Sequence, residues 1–257
     1  MAVPVSQTIA NRLNGFFIRL ILAFAFLAPA ATAAEPPPDL ARRVAHRESE
    51  TQAERNQYAY RQSVRLLELS ERGAELGEHR ETRDVIFSPT QERSERLIGT
   101  PTANLKHLLL TEEDFRDIRE IQPFVLVEDL LWIYETKFKG EENMDGVDCW
   151  VIQIRPRQIL QGQRLFDGML WIKKDDYSIV RSEGQAVPQI RTMKSENLFP
   201  RFTTIRKPVN GGLWFPVYTY ADDTLFFRSG PQRIKLTIRY SEYRKFGSDS
   251  SITFSEK

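Results

Sequence analysis

The chain has 257 residues, of which 41% are hydrophobic, and its formal net charge at pH 7 is +1. This composition is typical of a globular protein and excludes a largely disordered chain. Basic and acidic residues are evenly mixed, which argues against a nucleic-acid-binding face.

The first 33 residues have the pattern of an export signal. Their only charged residues are Arg12 and Arg19, an apolar run spans 20–27, and a small-x-small cleavage site ends at Ala33. The apolar run is shorter than the roughly 20 residues that a membrane span needs. We therefore expect residues 1–33 to be a removed signal peptide, with a retained N-terminal anchor as the alternative.

The remaining residues, 34–257, are expected to form a single domain in the periplasm. Cys149 is the only cysteine, so no intramolecular disulfide can form. An exported protein without disulfides fits a bacterial periplasm better than a eukaryotic secreted setting. We predict that Cys149 is a buried structural thiol.

The first part of this domain has the pattern of one helix followed by a strand meander. A charged helix is predicted over about 40–55, with Asp39 as its N-cap and a thin apolar stripe. Alternating residues predict a strand at 58–69, and return strands at about 79–88 and 91–98.

Residues 100–123 interrupt the strands. Thr111 and Asp114 have the spacing of a capping box, and Pro123 ends the short helix that follows it. The apolar triplet 108–110 must pack against another part of the chain. We predict that this segment covers one sheet face or one mouth of a barrel.

Strands resume at 130–138 and continue to near the end of the chain. Three consecutive antiparallel strands are predicted at 147–155, 164–173 and 177–185. The first two are apolar on both faces, so both faces of the sheet must be dry there. A bound apolar ligand and ordinary packing are alternatives for one of these faces. Further strands are predicted at 201–207, 213–220, 233–240 and 251–254, with an Asn-Gly turn at 210–211.

These elements total about eleven strands and two or three helices, without an internal repeat. A sheet of this size must curl. We therefore predict a β-dominated α+β fold, an incomplete (unclosed) antiparallel β-barrel of about eleven strands covered by two or three helices.

The sequence shows no catalytic or metal-binding motif. His46, His79 and His107 do not share a metal-ligand spacing, and the chain lacks the common nucleotide-binding and hydrolase motifs. The acidic pairs 175–176 and 222–223 are better explained by turn chemistry than by acid–base work. We predict a protein that is not an enzyme and that uses no metal or cofactor.

Aromatic side chains on predicted strands are the positive signal. On a curved sheet they fit the lining of an apolar cavity, although packing alone explains any single one of them. The sequence does not show which sheet face is concave. The predicted ligand-binding residues are Tyr58, Tyr60, Trp132, Tyr134, Trp150, Ile152, Leu170 and Trp171.

The order of elements also resembles a known family. The stretches that carry the resemblance are 58–62 (YAYRQ), 148–152 (DCWVI), 166–172 (FDGMLWI) and 178–184 (SIVRSEG). The chain resembles the periplasmic lipoprotein carriers, the LolA-like or outer membrane lipoprotein-sorting proteins. The resemblance implies an unclosed barrel with a helical lid that binds lipoprotein acyl chains. It also implies an arginine near the third strand that helps to hold the lid, for which Arg93 or Arg96 has about the right place.

Together these features predict a non-enzymatic periplasmic carrier for lipoprotein acyl chains or a similar apolar ligand. Its expected partners are these acyl chains or other lipids, and membrane-bound donor and acceptor proteins, with the protein itself a monomer. The alternative is an envelope-stress sensor, a regulatory protein-interaction module that uses the same fold. An enzyme with a site assembled from scattered polar residues has no positive support in the sequence.

Overall fold

A computed structural model describes residues 35–88, 92–120, 126–160, 162–193, 196–209 and 212–246. These residues all fall in one compact unit, Ala33–Lys257. The predicted signal peptide, the turn at 210–211 and the predicted strand at 251–254 lie outside them. In the part that the structure describes, no helix has the length and apolar character needed to cross a membrane.

Three helices and thirteen strands form within these ranges. The helices are α1 (Leu40–Arg55), α2 (Glu112–Glu120) and α3 (Glu128–Leu131). The strands are β1 (Tyr58–Leu69), β2 (Glu75–Phe87), β3 (Arg93–Leu97), β4 (Thr102–Ala103), β5 (Tyr134–Met144), β6 (Val147–Pro156), β7 (Leu165–Lys173), β8 (Ile179–Val187), β9 (Ile190–Arg191), β10 (Glu196–Asn197), β11 (Phe202–Val209), β12 (Leu213–Phe227) and β13 (Gly230–Lys245).

Eleven of these strands form one antiparallel sheet. Its order is β3-β2-β1-β13-β12-β11-β8-β7-β6-β5, with β4 also paired to β2, while β9 and β10 form a separate hairpin. Among the described strands, β3 and β5 end the sheet and do not pair with each other, so the sheet is unclosed. The predicted fold class, an unclosed barrel of about eleven strands with up to three helices, is confirmed.

The central strands β6 and β7 are apolar on both faces, as predicted. On the face that the helices cover, here called the inner face, Trp150, Ile152 and Leu170 join the main core together with Leu40 and Val44 of α1. The opposite face, here called the outer face, carries a separate small cluster, Cys149, Val151, Trp171 and Val180. The outer face is therefore dry because these side chains pack on each other.

Helix α1 lies on the inner face through a narrow buried stripe. Leu40 and Val44 are buried, as the apolar pattern predicted. Asp39 stands at the N-cap but makes no side-chain cap hydrogen bond, because its Oδ1 accepts one from Arg43 Nε at 2.8 Å. The stripe also buries Glu48, a charged residue whose partner lies far away in the sequence.

The segment before and within α2 covers part of the inner face, as predicted. The capping box forms: Thr111 N–H donates to Asp114 Oδ2 (2.7 Å), and Asp114 N–H donates to Thr111 Oγ1 (3.3 Å). Leu108, Leu110 and Ile118 pack on the main core. This segment, 104–120, is called the cover below.

The strand predicted at 130–138 was wrong in its first half. Residues 128–131 form α3, and β5 begins only at Tyr134. Contacts with α1 favour the helix, because Glu128 N–H donates to Ser49 Oγ at 3.0 Å and the Glu128 carboxylate lies 3.0 Å from His46 Nδ1. Such long-range contacts override a local alternation of residue types.

Candidate ligand-binding site

An apolar cleft of about 60 Å³ lies between the sheet and the cover. The sheet contributes Val64, Leu66, Leu225, Phe227, Ile234 and Leu236, and the opposite wall contains Leu108, Leu110, Ile118, Leu198 and Phe199. Sites for small ligands usually measure roughly 300–1,000 Å³. The cleft therefore has the composition of a lipid site but is closed in this structure.

One polar fastening holds α2 over this cleft. Arg164, just before β7, donates from its NH2 to Asp117 Oδ2 at 2.6 Å, and both side chains are buried. The other end of the guanidinium donates to Asn197 Oδ1 at 2.9 Å, and Asn197 Nδ2 donates to Asp114 Oδ1 at 3.0 Å. Asp117 therefore binds Arg164 directly, and Asp114 of the same helix is linked to Arg164 through Asn197.

The pKa of the Asp117 carboxyl is higher than that of an exposed aspartate, chiefly because the carboxyl is buried. Burial raises the pKa of its carboxyl to about 6, and Asp114 and Glu113 act in the same direction, while Arg164 and Arg116 oppose the rise. The carboxyl would regain an ordinary pKa if α2 left the sheet. A fall of pH through 6 therefore favours the closed cover.

A second fastening fixes the start of the cover to β1. The fully buried carboxylate of Glu68 accepts backbone N–H groups from Lys106 (2.5 Å), His107 (2.7 Å) and Leu108 (3.1 Å). Gly77 permits this close approach, since a Cβ there would lie 2.7 Å from the carbonyl oxygen of Asn104. The cover is therefore anchored by one carboxylate at its start and by one arginine near its end.

A larger hollow opens beside the free edge of the sheet. It has a volume of about 680 Å³ and lies between the N-terminal end of α1 and strands β5 and β6. The lining residues are Glu35, Pro36, Pro37, Pro38, Leu40, Ala41, Thr136, Phe138 and Ile152. We call it the edge groove; it lies within the size range of ligand sites.

Of the predicted ligand-binding residues, Ile152 lines the edge groove, and Tyr60 lines a separate hollow of about 380 Å³ beside β1, β2 and the end of β13. Besides Ile152, five of the predicted residues are buried, and each contributes to packing: Tyr58, Tyr60, Tyr134, Trp150 and Leu170. The hydroxyls of Tyr60 and Tyr134 accept hydrogen bonds. Arg93 NH1 donates to the Tyr60 hydroxyl (2.7 Å), and Phe166 N–H donates to the Tyr134 hydroxyl (3.1 Å). Burial also raises the pKa of Tyr134.

The two remaining predicted residues line neither the cleft, the edge groove nor the hollow beside β1. Trp132 follows α3 and is 74% exposed. Trp171 is on the outer face, where its Nε1 donates to Glu142 Oε2 at 2.7 Å and the Arg181 guanidinium lies over its ring at 4.7 Å. Trp150 and Trp171 therefore lie on opposite sheet faces and cannot line one cavity.

The arginines that hold the helices are not those that the resemblance implied. Arg93 contacts Tyr60 and Glu95 within the sheet, and Arg96 contacts Asp84. Arg164 holds α2, as described above, and Arg206 of β11 pairs with Glu48 of α1. Neither arginine stands in a local motif, so the sequence carried no signal for them.

The sequence analysis also did not predict that residues of the cover line a ligand-binding cleft. Their signal was the apolar triplet 108–110, which was expected to pack on the sheet without being assigned to a cavity. The run Leu198-Phe199-Pro200 follows β10 and forms the neighbouring wall. Both runs are apolar, lie outside the long strands and are next to an interruption of the sheet. This combination was the sequence signal that could have indicated the cleft.

The described side chains offer no evident catalytic centre. Within the described ranges, no three His, Cys, Asp or Glu residues come together in a way that would hold a metal ion. Cys149 is buried as predicted, and burial raises the pKa of its thiol to about 11. A thiol of that pKa is a poor nucleophile at neutral pH.

No protein-family model matches the chain, and no curated protein matches it. Several solved structures are similar to the chain. The chain is similar to a DUF1329 family protein from Desulfovibrio piger, with 15% identity, coverage of 82% of this chain and 92% of that one, and a TM-score of 0.39. It is also similar to a putative outer membrane lipoprotein-sorting protein domain from Vibrio parahaemolyticus (10% identity, 78% and 93% coverage, TM-score 0.37).

A LolA superfamily protein from Nitrosomonas europaea is similar as well, with 12% identity, 77% and 94% coverage and a TM-score of 0.34. These structures include proteins of the family that the sequence resembles. At identities of at most 15% and TM-scores of at most 0.39, the likeness does not by itself identify a function.

Proposed function

We propose that this protein is a periplasmic carrier that binds an acyl chain or a similar apolar ligand between the sheet and its helical cover, without chemical turnover. The acyl chains of a lipoprotein on its way to the outer membrane are the cargo that the resemblance implies. The observation that carries the proposal is the cleft under the cover, whose walls are mainly aliphatic and aromatic, with Asp114, Glu196 and Asn197 as the polar lining residues.

The cleft supports a carrier because α2 can move while Glu68 keeps the start of the cover on β1. The contacts of α2 include the bond of Asp117 with Arg164 and the bond of Asp114 with Asn197 of β10. They also include the edge-on contact of Phe115 with His79 of β2 at a ring-centroid distance of 5.7 Å. Displacing α2 would expose Ile118 and the facing wall of the sheet to a ligand. Each ligand methylene that replaces these contacts contributes about 0.8 kcal/mol, so one long chain can offset the cost of opening.

The direct test is a titration of the purified protein with a fluorescent fatty acid. Saturable binding is expected for the wild type. Phe227 is half-buried and lines the cleft, so Phe227→Asp should abolish saturable binding while the thermal melt stays cooperative. The matched control is Phe226→Asp, the adjacent residue whose ring points to solvent. Absence of saturable binding to the folded wild type would contradict the carrier function.

The free sheet edge favours a second candidate function, a protein-interaction module. Strand β5 has eleven residues and, in the described part of the chain, pairs only with β6. An exposed edge strand can accept an extended segment of another protein. Native mass spectrometry of protein purified from its own cells separates the two functions, because a co-purifying lipid supports the carrier and a co-purifying polypeptide supports the interaction module.

A further inference from the structure

Three large apolar side chains are exposed around the end of the sheet where the cleft lies. Leu109, Met193 and Phe226 have exposed fractions of 86%, 97% and 66%. Single exposed apolar residues are common on protein surfaces, whereas a group of them at one place indicates a contact surface. We call this group the apolar rim.

Two members of the rim are placed by the walls of the cleft itself. Leu109 lies between Leu108 and Leu110 and lines the cleft with them, while it remains largely exposed. Phe226 lies between Leu225 and Phe227, which line the cleft. Both exposed side chains are therefore at the same end of the molecule as the cleft.

Met193 is brought to this end by the hairpin β9–β10. The Arg228 guanidinium, beyond the end of β12, donates to the carbonyl oxygen of Thr192, and Arg228 N–H donates to Glu196 Oε2 at 2.9 Å. These bonds hold the tip of the hairpin against the β12–β13 turn. Glu196 also lines the cleft, so the hairpin belongs to the same end of the molecule.

The charges next to Met193 and Phe226 are basic, whereas those around Leu109 are mixed, since exposed Glu112 and Glu113 follow it in the chain. Arg191 and Arg228 are exposed, and both lie near the one carboxylate of Glu196, at 3.6 and 4.0 Å. Exposed Lys106 precedes Leu109 in the cover. Two guanidinium groups that share one carboxylate leave a net positive charge beside Met193 and Phe226.

We propose that the apolar rim inserts into the surface of a phospholipid bilayer and brings the cleft to the membrane from which its ligand comes. The inference rests on the proposed function, since an acyl chain must leave or enter a bilayer. Separate apolar tips, two of them with basic neighbours, fit an interface of acyl chains and anionic headgroups. A protein partner would instead need one surface that is complementary to three exposed side chains on separate segments of the chain.

The test is co-sedimentation of the purified protein with vesicles of phosphatidylethanolamine and phosphatidylglycerol, and with vesicles of phosphatidylcholine alone. The wild type should bind the anionic vesicles more tightly. Leu109→Asp and Phe226→Asp should each weaken vesicle binding about tenfold or more, because each removes a side chain that would be buried in the interface. Trp132→Ser, at another exposed apolar site, should bind as the wild type does.

Parallel titration with a fluorescent fatty acid separates this inference from the proposed function. Phe226→Asp should bind the fatty acid as the wild type does, because Phe226 does not line the cleft, whereas Leu109→Asp should weaken fatty-acid binding as well, because Leu109 does. Phe226→Asp is therefore the variant that separates the two roles. Fatty-acid binding without vesicle binding by the wild type would overturn bilayer docking and leave the carrier function intact. Equal loss of vesicle binding in Trp132→Ser would also overturn the role of the rim. Vesicle binding that depends on the rim, without fatty-acid binding, would support docking and contradict the carrier function.

Discussion

Glu48 of α1 and Arg206 of β11 form a two-pronged ion pair in the interior. Arg206 NH1 and NH2 donate to Glu48 Oε2 and Oε1 at 2.6 and 2.7 Å, and both side chains are only 1% exposed. The two residues are 158 positions apart in the chain. The pair fixes the position of α1 on the inner face.

Glu48→Ala should therefore lower the free energy of unfolding by about 3–5 kcal/mol, because it leaves a buried guanidinium without its carboxylate. The double variant Glu48→Leu/Arg206→Met should recover most of this loss, since both charges are removed together. Urea unfolding of the single and double variants gives the values. Glu50→Ala, on the exposed face of the same helix, should change stability by less than about 1 kcal/mol. A loss in Glu48→Ala as small as that of Glu50→Ala would refute the fixed position of α1.

Asp117→Ala should release the cover without unfolding the domain. The substitution breaks the buried pair with Arg164, which ties α2 to the residue just before β7. Hydrogen exchange of α2 amides should become faster by on the order of 100-fold, while the amides of β12 and β13 keep their protection. Glu113→Ala, an exposed residue in the first turn of the same helix, is the control and should change exchange by less than about tenfold. Equal acceleration throughout the sheet would mean that Asp117 supports the whole fold rather than the cover.

The strands were predictable because their signal is local. In β13, Ile234, Leu236, Ile238 and Tyr240 alternate with exposed or half-exposed residues, and the structure buries all four on the inner face. The capping box of Thr111 and Asp114 was equally readable, since its partners are three residues apart.

The site was much less predictable because it depends on which distant residues meet. Trp150 and Trp171 looked equivalent in sequence, but the pleat places them on opposite faces. Glu48 was one charge among many on a charged helix, and only Arg206 makes it a buried residue. The apolar strand residues that suggested a cavity lie in the packed core, and the cleft is closed by Leu108 and Leu110 outside the strands.

Stability should fall in acid because of Glu81 on β2. Burial acts to raise the pKa of Glu81, but His79 and Arg83 outweigh it and lower the pKa to about 2. The unfolded chain then binds the proton more tightly than the folded one. Glu81 therefore contributes stability above about pH 4.5, which is lost as the pH falls toward 2.

The measurement compares the wild type with Glu81→Gln in urea at pH 6 and at pH 3. The wild type should be more stable than the variant by about 2 kcal/mol at pH 6, and by clearly less at pH 3. Glu75→Gln, at an exposed position of the same strand, should show no such pH dependence. A difference between the wild type and Glu81→Gln that does not change with pH would show that Glu81 is not held ionised by its neighbours.

Gly184→Ala should destabilise the sheet by about 3 kcal/mol. Gly184 pairs with Gly168 beneath the ring of Phe166, and an added Cβ would lie 2.5 Å from Phe166 Cζ and 2.3 Å from the carbonyl oxygen of Asp167. The control is Ser182→Ala on the same strand. Ser182 is buried, and its hydroxyl has no hydrogen-bond partner among the described residues, so this change should be neutral or slightly stabilising. Thermal melts of both variants measure these changes. A Gly184→Ala protein as stable as the wild type would contradict the close packing of Phe166 on the glycine pair.

Phe138→Asp should show whether the edge groove takes part in ligand binding. Phe138 lies on the free edge strand, lines the groove and contacts the Trp150 ring at a centroid distance of 6.0 Å. Because the proposed site is the cleft under α2, Phe138→Asp should bind a fluorescent fatty acid as the wild type does. If the acyl chain lay in the groove, the new carboxylate would lose water beside it, and the affinity would fall about tenfold or more. Lys137→Asp introduces the same group at the adjacent, exposed edge position, which does not line the groove, and should bind the fatty acid as the wild type does. If Phe138→Asp binds normally while Phe227→Asp does not, the chain occupies the cleft under α2 alone, because Phe227 lines only that cleft and Phe138 only the groove.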